Sequence, residues 1–366
     1  MNDFTKESSE EWAEGKYMKK SQGLKFIKNF TYNHIGPSVK RPTFAYITIT
    51  SLCNSRCNYC GMWENKKEDE PTTKEWKAII EDAAKIGAVT LTFSGGEPFL
   101  RSDLFELASH AKTQGLVPMV VTNLSLFNKD HVEQIAKNFD FIGISLDTIH
   151  PEKYCEIRGK NWLEQIKQNI HVLMDGLRAL KAETEVSAVV TVSNRNADEI
   201  HELLHMVFDE LNMDTITFNL LDPNGGPKAK EFIPTQQQLQ NFKQVVLDHK
   251  SIYPISNSLR YFNQLGHFDY ACNPWKSVQI DHRGFLMTPC LFLHDHQVNL
   301  REQRLSDVWK SKHLQKMYSQ YNKCKTCNLG CIAESSWSTS DINYLINEGF
   351  RGMILPTIKR IKVRNE

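Results

Sequence analysis

The stretch FAYITITSLCNSRCNYC, residues 44–60, joins a strand-like run to a cluster of cysteines. Its first nine residues are rich in β-branched and aromatic side chains, which predicts a buried strand over 44–52. Cys53, Cys57 and Cys60 then follow within eight positions. Because a structural zinc ion normally takes four protein ligands, three clustered thiols predict either a fourth ligand from elsewhere or a metal centre with one open position.

The same strand pattern recurs five more times, each time followed by an amphipathic segment. The predicted strands cover 44–52, 88–96, 117–124, 139–147, 185–193 and 215–223, and the predicted helices cover 73–87, 103–115, 129–138, 162–183, 197–213 and 235–251. Strands separated by single helices run parallel, with right-handed crossovers. The sequence therefore predicts an α/β fold, either an open doubly wound sheet or a partial barrel, with the active site at the C-terminal ends of the strands. Thr73 is expected to cap the first of these helices and Gly87 to end it.

The composition is that of a globular protein with almost no net charge. The 366 residues are 40% hydrophobic and 24% charged, with a net charge of +1, which favours neither nucleic acid nor a membrane as a partner. The acidic start, MNDFTKESSEEWAEG, differs from a secretory signal, and no run of about 18 apolar residues is present. We therefore expect a cytoplasmic protein, in which thiols stay reduced and clustered cysteines indicate metal or redox chemistry.

The strand–helix alternation stops after the sixth unit, and this change predicts four regions. They are an N-terminal helical extension at 1–43, the α/β unit at 44–251, a small metal-held domain at 252–335 and a basic tail at 336–366. Residues 278–290 are expected to form a hairpin that turns at Arg283 and Gly284. Residues 305–321 are expected to form one helix capped by Ser306.

The first cysteine group resembles the cluster-binding motif of the radical S-adenosylmethionine (SAM) superfamily. The spacing C-x3-C-x2-C, with Tyr59 before the third cysteine, occurs on the first strand's loop, and GGEP (95–98) follows the second strand. The resemblance implies a partial (β/α)6 TIM-type barrel in which Cys53, Cys57 and Cys60 hold a [4Fe–4S] cluster whose fourth iron binds SAM. It also implies reductive cleavage of SAM to a 5′-deoxyadenosyl radical that attacks an unactivated C–H bond.

The resemblance further implies a set of SAM-binding residues at the strand ends. Gly95, Gly96 and Glu97 are similar to the segment that binds the methionine amino group, and Ser145 with Asp147 is similar to the ribose-binding pair. The full expected set is Tyr59, Gly95, Gly96, Glu97, Thr122, Asn123, Ser145, Asp147, Arg158 and Asn196. Arg158 is expected at the SAM carboxylate. The alternatives are a helix cap for Asp147, a surface ion pair for Arg158, a loop turn for Asn196 and zinc at the cysteines.

The second cysteine group resembles the shortened SPASM, or twitch, extension of this superfamily. Its five members are Cys272, Cys290, Cys324, Cys327 and Cys331. The resemblance implies one auxiliary [4Fe–4S] cluster, for which Cys272, Cys290, Cys324 and Cys327 are the expected ligands. Cys331 either replaces one of these ligands or stays a free thiol. Four thiolates would also suit zinc.

The expected function is the modification of a C–H position in a small-molecule biosynthetic intermediate, by oxidation, epimerisation or bond formation. Cys155 and Cys331 are candidate hydrogen donors, and the alternative for Cys155 is a small buried hydrophobe. An external flavodoxin or ferredoxin would supply electrons. A ribosomally made peptide is the alternative substrate. One alternative of another class is binding to a membrane surface, because the segments 16–30 and 350–364 mix basic and apolar residues. Another is a non-catalytic metal-binding scaffold.

Overall fold

The computed structural model describes residues 20–36, 39–65, 69–265, 272–291, 297–321 and 330–338. Seven strands form one parallel sheet in the order β6-β5-β4-β3-β2-β1-β7, and this sheet curls into a half-barrel. The strands are β1 Phe44–Thr50, β2 Thr90–Gly95, β3 Val117–Thr122, β4 Phe141–Ser145, β5 Glu185–Val192, β6 Thr215–Leu220 and β7 Ser277–Ile280. The predicted partial TIM-type barrel is therefore confirmed.

Helices lie between successive strands and cover the outer face of the sheet, and further described helices precede β1 or follow β7. They are α1 Lys20–Ile35, α2 Thr73–Ile86, α3 Leu104–Thr113, α4 His131–Asn138, α5 Pro151–Arg158, α6 Leu163–Ala179, α7 Ile200–His205, α8 Gln236–His249, α9 Leu259–Asn263, α10 Leu305–Lys310, α11 Lys312–Tyr321 and α12 Gly330–Ser338. The central strands are buried on both faces, and side chains such as Phe93 and Ile144 are fully enclosed. None of the described helices is long and apolar enough to cross a membrane.

The seventh strand lies at the start of the predicted hairpin, but its pairing with β1 was not predicted from the sequence. It runs parallel to β1, with Phe44 opposite Ser277 and Ile47 opposite Ile280. The segment after it makes the expected turn, because Gly284 adopts a φ of 86° and its N–H donates to the Asp281 carbonyl at 3.0 Å. The C-terminal part of the chain thus completes the sheet beside its first strand.

Three local expectations were wrong. The N-cap of α2 is Thr72 rather than Thr73, because Thr72 and Glu75 exchange the two hydrogen bonds of a capping box. The helix predicted over 305–321 is split at the extended residue Ser311, and Arg304 rather than Ser306 precedes its first part. Gly87 ends α2 as expected, with a φ of 114°.

The N-terminal helix α1 lies at the edge of the sheet where the strands begin. The Asn29 amide donates to the carbonyls of Pro42, at 3.2 Å, and Gly87, at 2.6 Å, which precede β1 and β2. Most of the predicted tail at 336–366 and residues 16–19 of the basic N-terminal segment lie outside the described residues. The four predicted regions and the surface-binding alternative stay predictions.

Candidate functional site

The cysteine loop, residues 53–60, lies at the C-terminal edge of the sheet and is fastened to the end of β2. The N–H of Gly96 donates to the Thr50 carbonyl at 2.9 Å, and the N–H of Glu97 donates to the Leu52 carbonyl at 2.8 Å. A Cβ atom on Gly96 would lie 2.0 Å from the Leu52 oxygen, so only glycine permits this approach. The two segments that carried the sequence resemblance are therefore packed backbone against backbone.

The Glu97 carboxylate joins β2 to β3. It accepts hydrogen bonds from the Thr122 hydroxyl at 2.6 Å, the Asn123 N–H at 2.8 Å and the Phe99 N–H at 3.1 Å. The side chain is 1% exposed, and this burial raises the pKa of Glu97 although the hydrogen bonds oppose the shift. The predicted residues Glu97, Thr122 and Asn123 are thus brought together, with the carboxylate turned into the protein.

A second polar connection at this edge was missed from the sequence. The Asn123 amide donates to the Asn54 side chain at 2.9 Å, and Asn54 donates in turn to the Ser125 hydroxyl at 2.8 Å. These three side chains hold the start of the cysteine loop against the end of β3. An asparagine directly after Cys53 was the available signal, because Asn favours loops in which its side chain bonds locally.

The far side of the cysteine loop packs on the C-terminal end of α5. The N–H groups of Arg56 and Asn58 donate to the carbonyls of Arg158, at 3.2 Å, and Ile157, at 3.0 Å. Gly159 ends α5 with a φ of 69°, and a Cβ there would lie 2.4 Å from the Arg56 carbonyl oxygen. The loop therefore satisfies carbonyls that the helix itself leaves unpaired.

A buried ion pair stands behind the loop. The Nη2 atom of Arg158 lies 2.6 Å from the Asp147 carboxylate, which is fully enclosed, and the Tyr59 hydroxyl donates to the same carboxylate at 2.9 Å. Burial alone lowers the pKa of Arg158, but Asp147 raises it overall and the guanidinium stays charged. Burial also raises the pKa of Tyr59 well above its ordinary value. The alternative of a surface ion pair for Arg158 is therefore wrong, because the guanidinium is buried.

The other predicted SAM-binding residues take different positions. Asn196 is fully buried, and its amide donates to the carbonyls of Asp147, at 2.8 Å, and Thr191, at 2.9 Å. Its side-chain oxygen accepts from the Ser193 N–H at 2.7 Å, so Asn196 organises the loop after β5. Ser145 ends β4 and is half-buried.

Cys155 lies on α5 and is exposed, so the buried-hydrophobe alternative for it is wrong.

The three thiols of the loop differ in exposure. Cys57 is buried, Cys53 and Cys60 are half-buried, and the Cys57 carbonyl accepts from the Trp63 indole at 3.1 Å. Burial raises the pKa of the Cys53 thiol to about 11 and also raises that of Cys60, so metal binding here would release protons. Within the described ranges, no three His, Cys, Asp or Glu side chains are placed to hold a single metal ion. The edge can supply three sulfur ligands close to the Gly95–Gly96 backbone.

Only part of the second cysteine group can be located. Cys272 is buried and Cys290 is half-buried, whereas Cys324 and Cys327 lie outside the described residues, as does the side chain of Cys331. Gly330 begins α12 and packs against Asn219 and Tyr261, near the end of β6. The backbone that carries Cys331 therefore lies at the same edge of the sheet as the cysteine loop.

Comparison with known proteins identifies two family models in this chain. One, described as Radical SAM superfamily, matches residues 47–207, and the other, Domain of unknown function (DUF3463), matches residues 224–349. Fe-coproporphyrin III synthase of Methanosarcina barkeri is 29% identical over 175 residues, which are 47% of this chain and 42% of that protein. AdoMet-dependent heme synthase of the same organism is 25% identical over 337 residues, which are 82% of this chain and 94% of that protein.

A solved structure supports the fold. Streptococcus suis SuiB bound to the precursor peptide SuiA superposes with a TM-score of 0.65 at 18% identity, covering 86% of this chain and 74% of SuiB. At this identity the likeness concerns the fold alone.

Proposed function

Since this chain is a radical SAM superfamily protein, we propose that it modifies a C–H position of a small-molecule biosynthetic intermediate. The observation that supports this most is the position of the cysteine loop, which is tied to the ends of β2 and β3 and to α5. When bound, a [4Fe–4S] cluster and SAM supply reductive cleavage to a 5′-deoxyadenosyl radical. The chain's own contribution is to hold three thiols, the Gly95–Gly96 backbone and the Arg158 guanidinium close to the cofactor site.

The cysteine loop and the GGEP segment have defined tasks in this proposal. Cys53, Cys57 and Cys60 are the cluster ligands. Gly95 and Gly96 bind the methionine part of SAM in this proposal, as the resemblance implies, and their missing Cβ atoms let this backbone pack against Thr50 and Leu52. Glu97 positions that backbone through its three hydrogen bonds rather than through a direct contact of its carboxylate with SAM.

The substrate class rests on the relatives. The heme synthase named above aligns over most of this chain, and its name refers to a small molecule. SuiB, whose structure contains a precursor peptide, is similar in fold alone. An external donor such as flavodoxin or ferredoxin supplies the electron in this proposal.

Anaerobic reconstitution with iron, sulfide, SAM and dithionite tests the enzyme class. We expect 5′-deoxyadenosine from the native chain and none from Cys57→Ala, while Cys155→Ala serves as the matched control because that thiol is exposed on α5. Equal product from native and Cys57→Ala chains would contradict the proposal. Addition of small-molecule and peptide fractions of a cell extract tests the substrate class, since the fraction that stimulates product formation identifies it.

We also propose an auxiliary [4Fe–4S] cluster held by Cys272, Cys290, Cys324 and Cys327. Cys272 and Cys290 flank β7 and the turn at Gly284 along the chain. The native chain is expected to bind about eight irons and Cys290→Ser about four. The Cys53/Cys57/Cys60 triple alanine variant should retain about four. A native chain with about four irons and one zinc would instead indicate a structural zinc site.

A further inference from the structure

We propose that Arg158 sets the reduction potential of the loop cluster by donating a hydrogen bond to the Cys57 sulfur, instead of binding the SAM carboxylate. This inference rests on the proposed function, because it requires Cys57 to be a cluster ligand. It assigns a positioning and tuning role to a side chain 101 residues away from the cysteine that it contacts.

Both terminal nitrogen atoms of the Arg158 guanidinium have polar partners. Nη1 lies 3.8 Å from the Cys57 Sγ, and Nη2 lies 2.6 Å from the Asp147 carboxylate. Asp147 is itself held, because its other oxygen accepts from the Thr191 N–H at 2.8 Å. The Nε atom of Arg158 is buried and has no hydrogen-bond partner among the described residues. The guanidinium thus faces the cysteine loop as a fixed cation that little solvent can screen.

The neighbouring hydroxyl cannot replace this donor. Ser55 Oγ lies 3.4 Å from the Cys57 sulfur, but it also donates to the Arg158 carbonyl at 2.9 Å. A serine hydroxyl carries one hydrogen, so that hydrogen is already used. A Cys57 thiolate would therefore receive its side-chain hydrogen bond from Arg158.

A donor and a positive charge at a ligand sulfur stabilise the reduced cluster more than the oxidised one, because reduction adds negative charge. Hydrogen bonds to the sulfurs and the surrounding net charge are among the factors that set iron–sulfur potentials. Arg158 should accordingly raise the potential, and Asp147 should partly offset that effect. Burying such an ion pair is costly, so its presence is weak evidence for a stabilising role.

The test is an EPR-monitored redox titration of the reconstituted full chain without SAM. The loop cluster is identified as the signal that changes when SAM is subsequently added. We expect Arg158→Met to shift the midpoint potential to more negative values, and Arg158→Lys to shift it less because the charge is kept. Asp147→Asn should shift it in the opposite direction. Arg195→Met is the matched control, since Arg195 pairs with Glu156 near α5 and should leave the potential unchanged.

Opposite shifts for Arg158→Met and Asp147→Asn support the inference, because general damage to the loop would not reverse its sign. An unchanged potential in Arg158→Met at native iron content overturns it. Loss of the loop cluster from both Arg158 variants with a retained fold also overturns it, since Arg158 would then be required for assembly. If Cys57→Ala retains the SAM-sensitive signal, the proposed function itself is wrong and the inference fails with it.

Discussion

Replacement of Gly96 by alanine should disrupt the cysteine loop while leaving the barrel core intact. The added Cβ would lie 2.0 Å from the Leu52 oxygen and 2.4 Å from its carbon, where real Cβ contacts are not shorter than 3.0 Å. The backbone next to Cys53 must therefore move by about 1 Å. That movement breaks or weakens the hydrogen bonds from Gly96 to Thr50 and from Glu97 to Leu52, which measure 2.9 and 2.8 Å.

Each buried bond contributes about 1 kcal/mol, and an unsatisfied partner adds to its loss, so we expect destabilisation of about 2 to 4 kcal/mol. We also expect loss of about four of the eight irons proposed. Urea unfolding and iron analysis of anaerobically purified chains measure both effects. Gly61→Ala is the matched control, because its Cβ would meet only ordinary contacts from 3.6 Å and its φ is −89°. Equal stability and equal iron content in the two variants would refute the reasoning.

Three further outcomes are expected. Trp309→Phe should lower the free energy of unfolding by about 1 kcal/mol, because the indole donates to the Lys40 carbonyl at 2.8 Å. Trp76→Phe should lower the free energy of unfolding by less, because the Trp76 N–H is buried without a partner among the described residues. Equal losses in urea unfolding would contradict this prediction. Burial alone raises the pKa of Asp82, but hydrogen bonds from Arg304 and the Ser306 N–H lower it overall, so the carboxylate stabilises the fold above its ordinary pKa of 3.8 and loses that effect as the pH falls below it. The melting temperature of the native chain should therefore fall more steeply below about pH 4 than that of Asp82→Asn. Parallel falls in melting temperature would exclude Asp82 as the cause. Cys331→Ala should keep about eight irons, and a drop to about four would make Cys331 an auxiliary ligand.

The parallel direction of the first six strands and the edge that carries the site could be predicted from the sequence. The spacing of apolar residues and the length of each segment identify strands such as 117–122. Parallel connections then place the C-terminal ends of these strands together. The boundaries differ by a few residues, because strand ends depend on which backbone groups find a partner. The capping box in TTKE was a readable signal for Thr72, although the adjacent threonine has the same local propensity.

Three features could not be read from local pattern. The strand β7 has four residues, and its partner β1 lies more than 200 positions earlier, so neither length nor neighbouring sequence indicates the pairing. The helix α5 is short and polar, although Pro151 at its start and Gly159 at its end are typical helix boundaries. The contact between Arg158 and Cys57 depends on how α5 docks on the cysteine loop, which spacing in the sequence does not specify.

The pairing of β1 with β7 has a consequence for synthesis of the chain. β1 pairs with β2 on one side and with β7 on the other. At typical translation rates, Ser277 of β7 is synthesised roughly 10 to 45 seconds after Thr50 of β1. During that interval one side of a strand rich in isoleucine and threonine has unpaired backbone groups, which can recruit a strand from another nascent chain. A fragment that ends at residue 251 would keep this side open permanently. We therefore expect chaperone binding during translation, and aggregation of such a fragment, as consequences of placing β7 beside β1.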